Sequence, residues 1–146
     1  MQYVSIRGLN ISKFTLGTIQ LGMEYGIANK SGKPDMGKSF EILETAVSRG
    51  INSFDTAEAY GDSEAVLGEF FKSLNGEKPL LTTKFKVASS GDTSSADIEK
   101  QIYGFVEQSL KRLKIRKIPI YMLHNAKDMK QYGSVTSSEE EQMVDN

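Results

Sequence analysis

Cysteine is absent from the 146-residue chain, and histidine occurs only once. The lack of cysteine excludes disulfides, thiolate metal sites and cysteine nucleophiles, and a reducing cytosol is its simplest setting. A single histidine without cysteine also argues against a zinc site. No stretch approaches the roughly 20 apolar residues of a membrane span, and the N-terminal MQYVSIRG lacks the apolar segment of a secretory signal. We therefore expect a cytoplasmic protein with no metal centre and no membrane partner.

Neither sign of charge dominates the chain, since 18 Lys and Arg residues stand against 19 Asp and Glu residues. The formal net charge of −1 offers no general electrostatic attraction for nucleic acid or for a membrane surface. One basic run, at 111–117, follows a predicted helix, and we interpret it as a solvated helix end that the helix dipole favours. Charged residues make up 25% of the chain and apolar residues 38%, which is typical of one folded domain.

Apolar runs alternate with stretches of helical periodicity along most of the chain. Two short runs at 3–6 and 11–14, separated by Gly8-Leu9-Asn10, predict an N-terminal β-hairpin. Helices of ten or more residues between apolar strands indicate βαβ units, and therefore an α/β fold with a parallel sheet. The remaining strands are predicted at 16–21, 51–54, 80–85 and 118–123, and the helices at 37–49, at 63–74 and between Ser94 and Leu113.

The ends of the helices are marked by their own residues. Gly50 and Asn75-Gly76 follow apolar helical stretches and are typical C-terminal stops. Ser94, with Asp97 three residues later, is a typical N-terminal cap. For the helix at 63–74, the spacing predicts an apolar side made of Ala65, Val66, Phe70 and Leu74.

Four polar side chains lie at or just beyond the C-terminal ends of the predicted strands: Asp55, Tyr60, Lys84 and His124. Ligands and catalytic groups gather at that edge of α/β folds, so we expect the four to meet on one rim. A phenol is a poor acid near neutral pH, and a neighbouring ammonium favours its ionised form. A carboxylate would hold the ammonium in place, and an imidazole could donate to a substrate carbonyl. The set therefore suits protonation of a carbonyl oxygen while hydride reaches the carbon.

Taken singly, these residues carry little information, because a strand-end lysine or a lone histidine is more often structural. The glycines at 22, 26 and 32 do not form a GxGxxG, so a Rossmann fold is not indicated. The order in which the motifs around these four residues follow one another is a more specific indication of function than any one of the residues. Over roughly 14–133 the chain resembles the aldo-keto reductase family, in which the same motifs follow one another.

The resemblance is carried by five segments. NSFDTAEAYG at 52–61 resembles the family's Asp-Thr-Ala…Tyr-Gly motif, and LGTIQLG at 16–22 resembles its first barrel strand and loop. Ser63-Glu64 to Gly68 is similar to the opening of the family's second helix. Thr83-Lys84 and Leu123-His124 match the lysine and the histidine of the family's catalytic tetrad.

The resemblance implies a (β/α)8 TIM barrel that reduces aldehydes or ketones with NADPH. Tyr60 would be the general acid, Lys84 and Asp55 its tuning pair, and His124 the donor that orients the substrate. In the family, the contacts to the pyrophosphate, the adenosine and the 2′-phosphate come from the second half of the barrel. Family positions beside the nicotinamide are matched by Gly17, Thr18 and Asp55.

An eight-stranded α/β barrel needs about 250 residues, so the sequence accounts for only the first four βα units. We expect 1–133 to form the N-terminal half of an aldo-keto reductase barrel. The acidic segment 134–146, which has no Lys or Arg, we expect to be a disordered tail. A partial barrel of this kind leaves its first and fourth strands as edges and exposes an apolar face. Such a face invites self-association or pairing with a completing half barrel.

Three functions stay open at this point. The chain is the catalytic half of a reductase for a small carbonyl substrate, active only with a completing half. Alternatively it is a non-catalytic regulatory partner, as the potassium-channel β subunits of this fold are, or a fragment with no function of its own. Alone, it is expected to bind NADPH weakly or not at all, because no glycine-rich helix start or paired arginine is placed to hold the phosphates.

Overall fold

The computed structural model describes residues 1–87 and 94–125. The strands of this part are β1 (Tyr3–Ile6), β2 (Leu9–Ser12), β3 (Leu16–Gly17), β4 (Ser53–Asp55), β5 (Leu80–Phe85) and β6 (Ile120–Leu123). The helices are α1 (Ile19–Gly22), α2 (Met36–Ser48), α3 (Ser63–Ser73) and α4 (Ser95–Leu113). The predicted acidic tail at 134–146 lies outside the described residues, so its boundary stays a prediction.

Strands β3 to β6 form one sheet in chain order, and every neighbouring pair in it is parallel. A helix separates each strand from the next, so the predicted βαβ units are confirmed. Each strand lies beside its predecessor, without the reversal of strand order that marks a doubly wound sheet. This is the order of a barrel wall, and four consecutive parallel strands are half the number in an eight-stranded barrel.

The N-terminal hairpin is confirmed, but its turn begins one residue earlier than predicted and its second strand two residues earlier. β1 and β2 pair antiparallel, with Ile6 opposite Leu9, so the turn is Arg7-Gly8. Both turn residues have positive φ, 48° and 77°, which suits the right-handed twist of a two-residue hairpin. Asn52 joins the hairpin to the segment before β4, because its side chain accepts from Ser12 N at 2.8 Å and donates to Asn10 O at 2.8 Å. The hairpin therefore lies at the N-terminal end of the sheet.

The strand predicted at 16–21 is wrong after its second residue. Only Leu16 and Gly17 join the sheet, and a helical turn, α1, begins at Ile19. The reason is the carbonyl of Asp55, which accepts from both the backbone N and the hydroxyl of Thr18, at 3.0 and 2.9 Å. These bonds end the ladder with β4 and turn the chain away from the sheet.

The predicted helix ends at Gly50 and Ser94 are confirmed, whereas the cap of α2 at Asp35 was not predicted. α2 begins at Met36, with Asp35 accepting from Lys38 N at 2.8 Å, and the chain turns at Gly50, whose φ is 84°. Ser94 caps α4 by accepting from Asp97 N at 3.2 Å, as its position predicted. No helix within the described ranges is long and apolar enough to cross a membrane.

Helix α3 is buried over a wider arc than its spacing predicted. Val66 and Phe70 are buried as expected, but Ala65 is exposed, and the prediction that it lies on the apolar side is wrong. Leu67 and Phe71 are buried instead. The cause is that both the sheet and α4 cover α3, which moves the centre of its buried arc away from Ala65.

The two faces of the sheet have different surroundings. On β5, Leu81, Thr83 and Phe85 are buried, whereas the alternate residues are half-buried. The buried set belongs to the face that the helices cover. On the other face, Lys84 lies opposite Met122, which is 48% exposed. This second face, the inner face of the barrel wall, is thus left open by the described residues.

Candidate active site

The centre of the site is an ion pair between neighbouring strands. Asp55 is the last residue of β4, and Lys84 lies two residues beyond its register partner Thr82 on β5. Both side chains therefore emerge on the inner face near the C-terminal ends of the strands. Lys84 Nζ donates to Asp55 Oδ1 at 2.6 Å and to Thr56 O at 2.9 Å. With only 16% of its side chain exposed, the ammonium is held in one position.

Tyr60 reaches the same place from the loop that follows β4. The loop is folded back by two backbone bonds, from Glu58 N to Lys84 O at 2.9 Å and from Tyr60 N to Ala57 O at 3.0 Å. As a result Lys84 Nζ lies 5.3 Å from the centre of the Tyr60 ring. At that distance a cation interacts favourably with the ring.

His124 completes the group from the end of β6. Its backbone N donates to Phe85 O at 2.8 Å, which continues the β5–β6 ladder by one residue. The His124 ring meets the Tyr60 ring edge to face, with centres 5.7 Å apart. Its Nδ1 is buried and has no hydrogen-bond partner within the described part of the chain. Thus the four side chains predicted for this rim lie within one small region.

Burial lowers the pKa of His124 below its ordinary value of 6.5, and the ammonium groups of Lys86 and Lys84 lower it further. The carboxylates of Asp55 and Glu58 act in the opposite direction but do not cancel these effects. The neutral imidazole is therefore the main form near pH 7. A neutral imidazole carries one N–H donor and one acceptor nitrogen.

Because His124 is the only histidine, its ring proton resonance can be followed by NMR without assignment. We expect its titration midpoint to lie below 6.5, and Lys86→Gln to raise the midpoint by removing a nearby positive charge. Glu58→Gln should lower it. Lys38→Gln, which changes an exposed lysine on α2, is the control and should leave it unchanged. A midpoint at or above 6.5 in the unaltered chain would contradict the described burial.

The lowered pKa of His124 determines the direction in which pH changes the stability of the folded chain. The unfolded chain binds the His124 proton more readily than the folded chain does. The stability that depends on a neutral His124 is therefore fully present above about pH 6.5, the pKa of the unfolded chain, and is lost as the pH falls from there through the lower pKa of the folded chain.

Gly17 and Thr18, predicted beside the nicotinamide, both lie next to Asp55. Gly17 is its register partner on β3, and a Cβ added there would meet nothing within 4 Å. A flat ring could therefore approach the backbone at Gly17. Thr18 differs, because it is fully buried and its hydroxyl is engaged with Asp55 O. Its side chain thus faces the protein and holds the neighbouring strand.

Two polar residues at the start of α3 were noted in the sequence only as part of a family motif. Ser63 and Glu64 are both buried and hydrogen-bonded to the strands that carry Asp55 and Lys84. The local signal for such a role is slight, because Glu64 merely precedes the apolar run Ala65-Val66-Leu67. Its partner Arg112, however, lies 48 residues away in sequence and could not have been found from spacing.

Comparisons with known proteins agree with one another. The model of the Aldo/keto reductase family matches residues 13–143. "Probable aldo-keto reductase 1" of Glycine max is 33% identical over 124 residues, which are 81% of this chain and 34% of that protein. A solved structure of a "putative aldo-keto reductase" from Pseudomonas aeruginosa is 33% identical with a TM-score of 0.65, over 82% of this chain and 45% of that one.

The fold is also shared with more distant structures. An aldo-keto reductase from Klebsiella pneumoniae, solved in complex with NADPH, is 22% identical with a TM-score of 0.59, over 85% of this chain and 40% of that one. In each comparison the chain spans less than half of the protein it matches. Its four strands correspond to part of a TIM barrel, as predicted. The chain belongs to the aldo/keto reductase family.

Proposed function

We propose that this chain supplies the catalytic half of an NADPH-dependent reductase for aldehydes or ketones. The observation that carries the proposal is the ion pair of Lys84 and Asp55, 2.6 Å long, beside the rings of Tyr60 and His124. A lysine held by a carboxylate next to a phenol is an arrangement that supports proton donation to a carbonyl oxygen.

In this proposal the phenolic proton of Tyr60 passes to the carbonyl oxygen of the substrate. The ammonium of Lys84 stabilises the negative charge left on the phenolic oxygen, while Asp55 and Thr56 O keep the ammonium in place. A neutral His124 donates its single N–H to the same carbonyl oxygen and orients it. When bound, NADPH supplies the hydride that reaches the carbonyl carbon, so that the product is an alcohol.

The described residues fit one end of the cofactor. Gly17 leaves open space beside Asp55, which suits the nicotinamide ring. The family resemblance assigns the phosphate and adenosine contacts to the other half of the barrel. The bound NADPH of the Klebsiella pneumoniae structure supports the choice of cofactor.

We further propose that four more βα units cover the inner face, whether they come from the same polypeptide or from a separate one. β3 and β6 each have one strand neighbour within the described residues, so both edges can accept another strand. Met122, 48% exposed beside Lys84, would be buried by such units. The chain spans less than half the length of each relative compared above, and this supports the proposal that further βα units complete the barrel.

The test uses a chimaera of this chain and the Pseudomonas aeruginosa protein whose structure was compared above. In the chimaera, residues 1–125 of this chain replace the matching segment of that protein. We expect the chimaera to quench NADPH fluorescence on binding and to reduce 4-nitrobenzaldehyde with consumption of NADPH. The isolated chain should do neither at a useful rate, because binding energy from the phosphates is what positions the hydride donor.

The outcomes separate the alternatives. A chimaera that has native circular dichroism and binds NADPH but shows no turnover would overturn the reductase proposal and favour a regulatory module. Micromolar NADPH binding with turnover by the isolated, monodisperse chain would show that copies of this half barrel complete one another.

A further inference from the structure

We infer that Ser63 and Glu64 are positioning residues for the Asp55–Lys84 pair. Both stand in the first turn of α3, on the helix side of the sheet. Ser63 N donates to Tyr60 O at 3.1 Å, but the side-chain bonds of Ser63 and Glu64 go to Thr18, Thr56, Thr83 and Arg112 and not to the four rim side chains. That the Asp55–Lys84 pair takes part in catalysis rests on the proposed function. That Ser63 and Glu64 hold the pair in place does not depend on it.

The hydroxyl of Ser63 links the ends of β3 and β4. It lies 2.9 Å from Thr18 O and 2.8 Å from Thr18 Oγ1, and it accepts from Thr56 Oγ1 at 3.0 Å. All three residues are fully buried, so water cannot replace these bonds. Thr18 in turn donates to Asp55 O, and Thr56 O accepts from Lys84 Nζ. Ser63 therefore holds the two threonines that flank the ion pair.

Glu64 holds the neighbouring strand. Its Oε1 accepts from Thr83 Oγ1 at 2.6 Å and its Oε2 from Arg112 Nε at 2.7 Å, while only 1% of the residue is exposed. Thr83 directly precedes Lys84, and side chains alternate along a strand. The bond to Thr83 on the helix side thus fixes β5 at the point where Lys84 leaves on the inner side.

Gly68 allows Arg112 to reach this carboxylate. A Cβ at position 68 would stand 2.1 Å from Arg112 O, so only glycine permits so close an approach of α4. The whole Ser63-Glu64…Gly68 motif is thereby accounted for. A buried ion pair adds little net stability compared with packed apolar groups, but its directional bonds fix distances between the elements it joins.

The test measures the environment of Lys84 in the full chain, without cofactor or turnover. The lysines are labelled with an amine-specific reagent, and the rate at Lys84 is compared by mass spectrometry with that at the exposed Lys38. We expect Ser63→Ala to raise the labelling rate of Lys84, relative to that of Lys38, by about three- to tenfold. This is the effect of losing the net free energy of one hydrogen bond, since the bonds of Ser63 restrain the Asp55–Lys84 pair.

Two controls separate positioning from loss of stability. Ser39→Ala removes an equally buried hydroxyl, but one that bonds within its own helix to Asp35 O. Leu43→Val weakens the core on α2 and removes no hydrogen bond to the anchored strands. Neither should change the Lys84 rate, when variants are compared at conditions of equal folded fraction.

Glu64 offers a conservative rescue. A glutamine there can still accept from Arg112 and donate to Thr83, so Glu64→Gln should keep the Lys84 rate near that of the unaltered chain. Glu64→Leu should raise it, even where the leucine variant is as stable. The inference would be overturned if Ser63→Ala, Glu64→Leu and the two controls all showed the same Lys84 labelling rate. The reductase proposal would not be affected, because the turnover assay of the chimaera tests it separately.

Discussion

Tyr60→Phe is expected to lower kcat of the chimaeric reductase by about 10²–10⁴-fold, the range that general acid catalysis contributes. The substitution removes the phenolic proton and leaves the ring, which still meets the His124 ring and the Lys84 ammonium. NADPH binding should be unchanged, because no predicted cofactor contact involves the phenol. Steady-state reduction of 4-nitrobenzaldehyde and NADPH fluorescence measure the two quantities separately.

Tyr103→Phe is the matched control, since it removes the same hydroxyl from a tyrosine that is 55% exposed on α4. Its kcat should equal that of the unaltered chimaera. Turnover of Tyr60→Phe close to the control would reject Tyr60 as the acid. The proton would then have to come from another group, and the ring that contacts Tyr60 is that of His124.

Gly22→Ala is expected to destabilise the full chain by about 3 kcal/mol, the upper end of the cost of overpacking. A Cβ at this position would stand 1.7 Å from Tyr60 O and 2.4 Å from Ser63 N, so backbone and not a flexible side chain would have to move. The same carbonyl of Tyr60 accepts from Ser63 N, and Gly22 O accepts from Asp62 N. Urea unfolding followed by circular dichroism measures the loss.

Gly104→Ala is the control for this substitution. An added Cβ there would meet nothing within 4 Å, and the position lies inside α4, so a gain of up to about 1 kcal/mol is expected from helix propensity. The His124 resonance adds a local readout, because its ring meets the Tyr60 ring. If Gly22→Ala left both the stability and this resonance unchanged, the close contact between α1 and the Tyr60 loop would be disproved.

Local patterns in the sequence determined the elements and their order. Apolar runs between helical stretches predicted the parallel strands, and β5 has the predicted bounds because it is covered by helices on one face over its whole length. Gly50 and Ser94 marked helix ends through backbone conformation and capping, which involve only residues nearby in sequence. The strand-end positions of Asp55, Lys84 and His124 followed from the same patterns, since parallel strands bring their C-terminal ends to one edge.

Contacts between distant segments decided the rest. β3 ends early because Thr18 bonds to Asp55 O, 37 residues away, and Ala65 is exposed because α4 changes which side of α3 is buried. The Ser63 and Glu64 bonds reach 45 and 48 residues along the chain, and no local periodicity records them. Hydrogen-bond partners at such separations are set by how helices and strands pack. Therefore the sequence indicated which side chains reach the rim, and only the tertiary structure decided how they are held.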